Sequence, residues 1–231
     1  MPREAIVLAG GFGTRLRAVV SDVPKPLAPV AGRPFLHWLL DGLAQQGISR
    51  VILATGYMGE VVQDSLGEQF AGMALTYARE KAPLGTGGAL YAALEHATGE
   101  RVFVLNGDTW LGAPLAPLAA EAPLADLVLA VRPVPDRARY GSVSVEGTRV
   151  LGLEEKGSSG PGLVNAGVYI VRADLPQRRP ITGAFSLEEQ VLANPGTLDL
   201  RAHATDAPFL DIGTPEDFAR AQALIPAWAA A

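Results

Sequence analysis

Leu8-Ala9-Gly10-Gly11-Phe12-Gly13-Thr14-Arg15-Leu16, followed by Pro24-Lys25-Pro26-Leu27, is the stretch on which the fold turns. Ahead of it, residues 5–9 form an apolar run that reads as a buried strand feeding directly into a glycine turn. Glycines let backbone N–H groups approach a phosphate chain closely and gather as a nest of partial positive charge. Arg15 adds a planar guanidinium suited to phosphate oxygens, and Lys25 a second cation fixed between two prolines. A strand, a glycine turn and two cations point to a nucleoside triphosphate or dinucleotide. The dinucleotide fingerprint G-x-G-x-x-G is excluded, because Gly11-Phe12-Gly13 is followed by Thr14-Arg15-Leu16 with no third glycine. The P-loop is excluded because no lysine follows the glycines directly.

Working outward, strands are expected at 51–55, 75–78, 101–105, 127–131, 142–145 and 168–171. Helices are expected at 36–46, where Leu36, Leu39, Leu40 and Leu43 share one face, and at 59–66, 87–95 and 216–224. Gly47 reads as a C-cap, and Thr214 with Pro215 as an N-cap and first helical position. Alternation of this kind implies a mostly parallel sheet with helices on both faces. Ligands of such sheets sit outside the strand carboxyl ends, where the glycine turn and Asp108 both fall. Residues 156–162 and 176–185 read as site loops within one domain, and the Trp228 tail as a frayed end.

The bulk properties fit an enzyme. Hydrophobic residues make up 48% of the chain, enough for a substantial core. Nineteen basic and 24 acidic residues leave a net charge of −5, which gives no support to nucleic-acid binding. The absence of cysteine excludes disulfides, cysteine zinc sites and thiol nucleophiles. His37, His96 and His203 form no metal-like spacing and read as structural or exposed. Trp38 reads as core, Trp110 as core or, just after Asp108, as a lining of the sugar pocket, and Tyr140 as either packing or sugar-lining. With no signal peptide, and no apolar run of the roughly 18 residues a membrane helix needs, a cytoplasmic location without membrane partners is the default.

GGFGTRL and PKPL together resemble the signature of the sugar-1-phosphate nucleotidyltransferases. Further matches follow in the family's order: Pro83-Leu84-Gly85-Thr86-Gly87-Gly88-Ala89, Asn106-Gly107-Asp108, Tyr140-Gly141, Glu155-Lys156, Asn165-Ala166-Gly167-Val168-Tyr169 and Asp211-Ile212-Gly213-Thr214-Pro215. The resemblance implies one three-layer α/β/α domain over 1–231, Rossmann-like, with a mixed and mostly parallel sheet of the nucleotide-diphospho-sugar transferase type. It also implies that the β-helix domain some relatives carry at the C-terminus is lacking. The implied reaction joins a nucleoside triphosphate and a sugar 1-phosphate, releasing pyrophosphate.

The implied site follows. Asp108 and Asp211 hold Mg²⁺, a hard cation that takes one or two carboxylates plus substrate phosphates. Their neighbours Gly107 and Gly213 are expected to leave room for ligand. Arg15 holds the β- and γ-phosphates, and Lys25 stabilises charge at the α-phosphate, so Arg15, Lys25 and Asp108 form the catalytic set. Leu8, Ala9, Gly10, Gly11, Gly13 and Thr14 line the nucleotide pocket, with Gly85 and Thr86 approaching the base. Glu80 is the candidate reader of guanine, since a carboxylate accepts from N1–H and the 2-amino group together. Asn106, Gly141, Glu155 and Asn165 meet sugar hydroxyls, and Lys156 meets the sugar phosphate. Within the family the text is most similar to the branch that guanylylates D-glycero-α-D-manno-heptose 1-phosphate from GTP. Mannose-1-phosphate guanylyltransferases and N-acetylmuramate-1-phosphate uridylyltransferases stand next. A cytidylyltransferase of a non-sugar phosphate and a silent nucleotide-sugar-binding regulatory subunit are further readings. A homo-oligomer stays open.

Overall fold

The apolar residues after Glu4 alternate between two cores: Ala5 and Val7 pack into one, Ile6 into the other. Only a strand covered on both faces needs such a run. The structure, a computed structural model, describes every residue except 12, 14, 15, 17–19, 21, 139–141, 155–158 and 231. In chain order it contains β1 (Glu4–Leu8), the hairpin β2 (Pro29–Val30) and β3 (Arg33–Pro34), α1 (Phe35–Gln45), β4 (Arg50–Thr55), α2 (Gly59–Leu66), β5 (Gln69–Phe70), β6 (Met73–Arg79), α3 (Gly85–Leu94), β7 (Arg101–Asn106), β8 (Thr109–Leu111) and α4 (Leu115–Glu121). There follow β9 (Leu127–Val134), β10 (Ser142–Glu146), β11 (Arg149–Glu154), β12 (Gly162–Arg172), α5 (Leu175–Arg178), β13 (Leu200–Ala204), β14 (Phe209–Asp211) and α6 (Pro215–Ala229).

The main sheet runs β10-β11-β13-β9-β12-β7-β1-β4-β6-β5. Strands β7, β1, β4 and β6 are parallel to one another, and β13 is parallel to β9. The remaining pairings, including β12 against both β7 and β9, are antiparallel. The sheet is therefore mixed, with most of its parallel pairing in the N-terminal half, one parallel pair (β9 with β13) in the C-terminal half, and a larger antiparallel part than the alternation suggests. Leucines of α1, α2 and α4 and Phe218, Ala221 and Ile225 of α6 pack on one face. Ala89, Leu90, Ala93 and Leu94 of α3, with Phe185 and Leu192, pack on the other. That is the expected three-layer α/β/α arrangement.

The chain winds outward from β1 through α1 to β4 and through α2 to β6. It then crosses back through α3 to β7, on the opposite side of β1. Strand order thus reverses between β1 and β7, and such a point opens a crevice at the carboxyl ends.

Two expectations need correction. Helix α6 runs to Ala229, because Phe218, Ala221, Ile225 and Trp228 keep helical spacing and Trp228 packs against the core, so the tail is not frayed there. Segment 176–185 is not a free site loop: Arg178 pairs with Asp126 at 3.1 Å, Arg179 donates to the carbonyls of Gln190 and Asn194, and Phe185 is buried. The cap of α6 is as expected, with Thr214 Oγ1 accepting from the Asp217 N–H at 3.2 Å behind Pro215. No helix among the described residues is long and apolar enough to cross a membrane.

Glu4 is buried at the start of β1 and fully engaged. Its carboxylate accepts from Arg50 Nη1 at 2.5 Å, from the Thr98 N–H and the Gly99 N–H at 2.9 Å each, and from the Thr98 hydroxyl at 2.8 Å. Burial pushes its pKa up, but the hydrogen bonds from Thr98, Arg50 and Gly99 outweigh that and hold it below the usual value. A depressed folded pKa contributes stability above the unfolded value, lost as pH falls through the folded value. Glu4→Ala should therefore destabilise the fold by roughly 2–4 kcal/mol in urea melts near neutral pH, by stranding Arg50 and two N–H donors. The deficit should shrink below about pH 4; an equal deficit at acid and neutral pH would contradict this assignment.

Candidate active site

Three strands deliver the site to one rim. Leu8, the last residue of β1, lies opposite Asn106 of β7 and Ala54 of β4. The Gly107 N–H donates to the Leu8 carbonyl at 2.9 Å, and the Ala9 N–H to the Ala54 carbonyl at 2.8 Å. On the next strand over, the Glu80 N–H donates to the Thr55 carbonyl at 2.8 Å. A cleft of about 250 Å³ opens there. Of the expected residues, Leu8, Ala9, Gly10, Gly11, Lys25, Glu80, Gly85, Thr86, Asn106 and Asp108 all line it. Pro26, Pro83, Gly107 and Ala89 line it as well. Gly13 packs against the Lys25 side chain. Thr14, Arg15, Gly141, Glu155 and Lys156, with Tyr140, lie outside the described residues.

The two aspartates, distant in sequence, meet through a short ladder. Strands β8 and β14 pair antiparallel with Asp211 opposite Thr109, and the Ile212 N–H donates to the Asp108 carbonyl at 2.9 Å. Lys25 Nζ lies 2.6 Å from Asp108 Oδ2 and 3.7 Å from Asp211 Oδ1. The lysine side chain is 11% exposed and the carboxylates 36% and 39%, so the ammonium sits beneath a more open pair of anions. Pro24 is extended as the prolines suggest, but Lys25–Leu27 then coil into one 3₁₀ turn that buries Pro26. The carboxylates are oriented by neighbours: the Thr109 hydroxyl donates to Asp108 Oδ1 at 3.1 Å and the Gly213 N–H to Asp211 Oδ1 at 2.6 Å.

The flanking glycines are also required by close contacts within the protein. A Cβ at Gly107 would stand 2.7 Å from the Leu8 carbonyl oxygen, and one at Gly213 would stand 2.8 Å from Asp211 Oδ1 and 3.2 Å from Lys25 Nζ. They make room for the protein's own backbone and charges, and Gly107 also lines the cleft.

Among the described residues no group of three His, Cys, Asp or Glu side chains could hold a metal ion. The donor set here is two carboxylates at a cleft edge. That fits Mg²⁺, which is commonly bound by one or two carboxylates with substrate phosphates completing its shell, and does not fit an all-protein cage.

At the far end of the cleft Glu80 lies over Gly10, with Oε2 accepting from the Leu84 N–H at 3.0 Å. Burial pushes its pKa up, and the Leu84 N–H pulls it partly back. Gly85 and Thr86 open α3, whose N-terminus faces the cleft with its positive dipole end. The Thr86 hydroxyl is consumed inside the protein, donating to Glu188 Oε2 at 2.6 Å and accepting from the Leu187 N–H at 2.9 Å. That hydroxyl is therefore already committed to partners within the protein.

Asn165 is not among the residues that line this cleft; it lies near the rim on β12, tied to Tyr169, its Nδ2 donating to the phenol oxygen at 2.7 Å. Tyr169, Thr109 and Glu188 were not singled out from the sequence. Only Tyr169 carried a signal, as the end of the Asn165–Tyr169 motif. Trp110 is core, and Trp38 is half-buried with its indole N–H on the Val30 carbonyl at 3.1 Å. His203 Nδ1 lies 2.7 Å from Glu121 Oε1, and His37 lies on the Phe70 ring, both away from the cleft.

Comparison with known proteins agrees with this geometry. The nucleotidyl transferase family model matches residues 4–227. The D-glycero-α-D-manno-heptose 1-phosphate guanylyltransferase of Aneurinibacillus thermoaerophilus is 40% identical over 223 residues, covering 95% of this chain and 96% of that protein. A mannose-1-phosphate guanylyltransferase of Mycobacterium tuberculosis is 36% identical over 95% of this chain but 64% of its own length. The crystal structure of HddC from Yersinia pseudotuberculosis, also solved in complex with GMP-PN, superposes with a TM-score of 0.87 at 34% identity, covering 96% of this chain and 98% of that one.

Proposed function

This chain belongs to the nucleotidyl transferase family, and from that premise we propose that it transfers a guanylyl group from GTP to D-glycero-α-D-manno-heptose 1-phosphate, giving GDP-heptose and pyrophosphate for surface glycans. Residues 1–231 act in this reading as one nucleotidyltransferase domain. The observation that carries it is the meeting of Lys25, Asp108 and Asp211 beside the glycine turn, at the point where strand order reverses. The likeness to heptose guanylyltransferases over nearly the full length supports the choice of base and sugar. Both substrates are membrane-impermeant anions made inside the cell, which supports a cytoplasmic location.

An oxygen of the sugar phosphate attacks the α-phosphorus in line, and pyrophosphate leaves. A phosphate monoester has a second pKa of about 6, so the nucleophile is already ionised and needs no strong general base. The difficulty is that two anions must meet. Backbone N–H groups of the turn from Gly10 to Gly13, with Thr14, cradle the triphosphate, and Arg15 holds its β- and γ-phosphates. Lys25 offsets charge at the α-phosphate. Its ammonium is held by Asp108 and Asp211, so it stands ready without reorganisation. The two aspartates would hold a divalent cation, Mg²⁺ in this reading, which would supply charge neutralisation to the phosphates. Glu80 accepts from guanine N1–H and the 2-amino group, with the backbone of Gly85 and Thr86 beside the base. Asn106, Gly141, Glu155 and Asn165 orient the sugar, and Lys156 its phosphate.

Pyrophosphate release from GTP, UTP and CTP, each with a panel of sugar 1-phosphates, tests the proposal. GTP with the heptose phosphate should give the highest kcat/KM, and chelating divalent cations should abolish it. A preference for mannose 1-phosphate, or for UTP with N-acetylmuramate 1-phosphate, would replace the assigned substrates. Silence with every pair would favour a nucleotide-sugar-binding subunit.

Glu80 supplies a pH signature. Its carboxyl pKa is raised, so it loses its second acceptor oxygen on acidification earlier than an exposed glutamate does. KM for GTP should climb as pH falls through that raised value. Glu80→Gln should raise it roughly ten- to a hundredfold at neutral pH and flatten the acid limb. An unchanged KM and pH profile in that variant would remove Glu80 from base recognition.

A further inference from the structure

Strand β12 does not keep step with β9. Asn165 faces Val131 and Tyr169 faces Leu129, so four steps along β12 match two along its neighbour. The extra residues form a bulge at Ala166-Gly167-Val168, and Gly167 takes a φ of +70°. In a regular strand, side chains four residues apart stand about 13 Å from each other. Here the bulge folds Asn165 back until its Nδ2 donates to the Tyr169 phenol oxygen at 2.7 Å. Its Oδ1 accepts from the Gly167 N–H at 3.0 Å. Both ends of the carboxamide are therefore fixed.

The bulge also reaches the neighbouring strand. A Cβ at Gly167 would stand 3.0 Å from Asn106 Nδ2, so the second asparagine lies directly against the glycine. Asn106 Oδ1 is buried without a hydrogen-bond partner among the described residues, although Asn106 lines the cleft. Tyr169 itself has no exposure and is otherwise packed among apolar side chains. Burial pushes its pKa up, the Glu188 charge adds to that, and the Asn165 and Asn106 amides pull it partly back, so the phenol stays protonated. A leucine or phenylalanine would fill that core position without a polar atom to satisfy, which leaves the phenol oxygen to be explained.

We propose that Tyr169 is a positioning residue: its phenol holds the Asn165 carboxamide in one orientation beside Asn106, so that the two amides present a preset pair of hydrogen-bonding groups to the hydroxyls of the sugar phosphate. The proposal rests on the sugar-side reading of Asn106 and Asn165 but not on which sugar is bound. Tyr169 acts through Asn165 and touches no substrate.

The test uses whichever nucleotide and sugar phosphate the wild-type enzyme turns over best, so a wrong sugar assignment leaves it intact. Tyr169→Phe keeps the ring and removes the oxygen. KM for the sugar phosphate should rise about tenfold, as expected for an untethered hydrogen-bonding group, while KM for the nucleotide stays within about twofold. Asn165→Ala, which leaves the tyrosine in place, should give the same split. The double variant should lose clearly less than the product of the two single effects, because in Asn165→Ala the phenol has only the Asn106 amide left to hold. Additive effects in the double variant, equal changes in both KM values, or an unchanged sugar-phosphate KM in either single variant would overturn the proposal and leave Tyr169 as core packing.

Discussion

One backbone hydrogen bond, from the Gly107 N–H to the Leu8 carbonyl at 2.9 Å, holds the rim of this enzyme together. It extends the pairing of β1 and β7 by one step beyond the last strand residue, at the point where the winding of the chain reverses. There the chain leaves the rim from both strands, and the cleft is lined by Ala9, Gly10 and Gly11 after β1 and by Gly107 and Asp108 after β7. The close approach leaves no space for a side chain at 107. Everything chemically interesting hangs from that junction: the glycine turn from one strand, Asn106 and Asp108 from the other, and Asp211 from the β14 ladder that pairs beside β8.

The antiparallel half of the sheet adds what a purely parallel one could not. Strand β12 runs past the carboxyl end of β7 in the opposite direction, with Val168 opposite Leu105, so its first residues lie beyond the rim. Asn165 is therefore carried to the rim by the entry of a strand, whereas Asn106 and Asp108 reach it from the exit of one. Charge is distributed accordingly. Lys25 lies under Asp108 and Asp211, and the N-terminus of α3 faces the cleft from the other side. The carboxylates are the more exposed members of that cluster, so a divalent cation held by Asp108 and Asp211 would be what turns this face toward a phosphate, with the Lys25 ammonium fixed beneath it.

The sequence made much of this legible, for physical reasons. Buried strands such as 101–105 and amphipathic helices such as 36–46 carry strong period signals, and their observed bounds, Arg101–Asn106 and Phe35–Gln45, differ by a residue. Thr214 with Pro215 marked its cap through local chemistry alone. The short strands β8 and β14, three residues each, carry no period long enough to read, yet they bring Asp108 and Asp211 together. Helix α4 was missed because Pro114 and Pro117 flank and interrupt it. The internal contacts that require Gly107 and Gly213 could not be inferred, since close contacts between distant segments leave no trace in local text. Nor could the bulge at 166–168, which exists only relative to β9.

The account's central claim is that Asp108 and Asp211 act as one charged unit with Lys25, and a double-mutant cycle on the chemical step tests it most directly. Single-turnover rates of pyrophosphate release would be measured for Asp108→Asn, Asp211→Asn and the double variant, at saturating substrates and divalent cation. Groups that work as a unit are strongly non-additive, so each single variant should lose nearly as much rate as the pair, on the order of a hundredfold or more. Rate losses that multiply independently, or an Asp211→Asn enzyme as fast as the wild type, would contradict it.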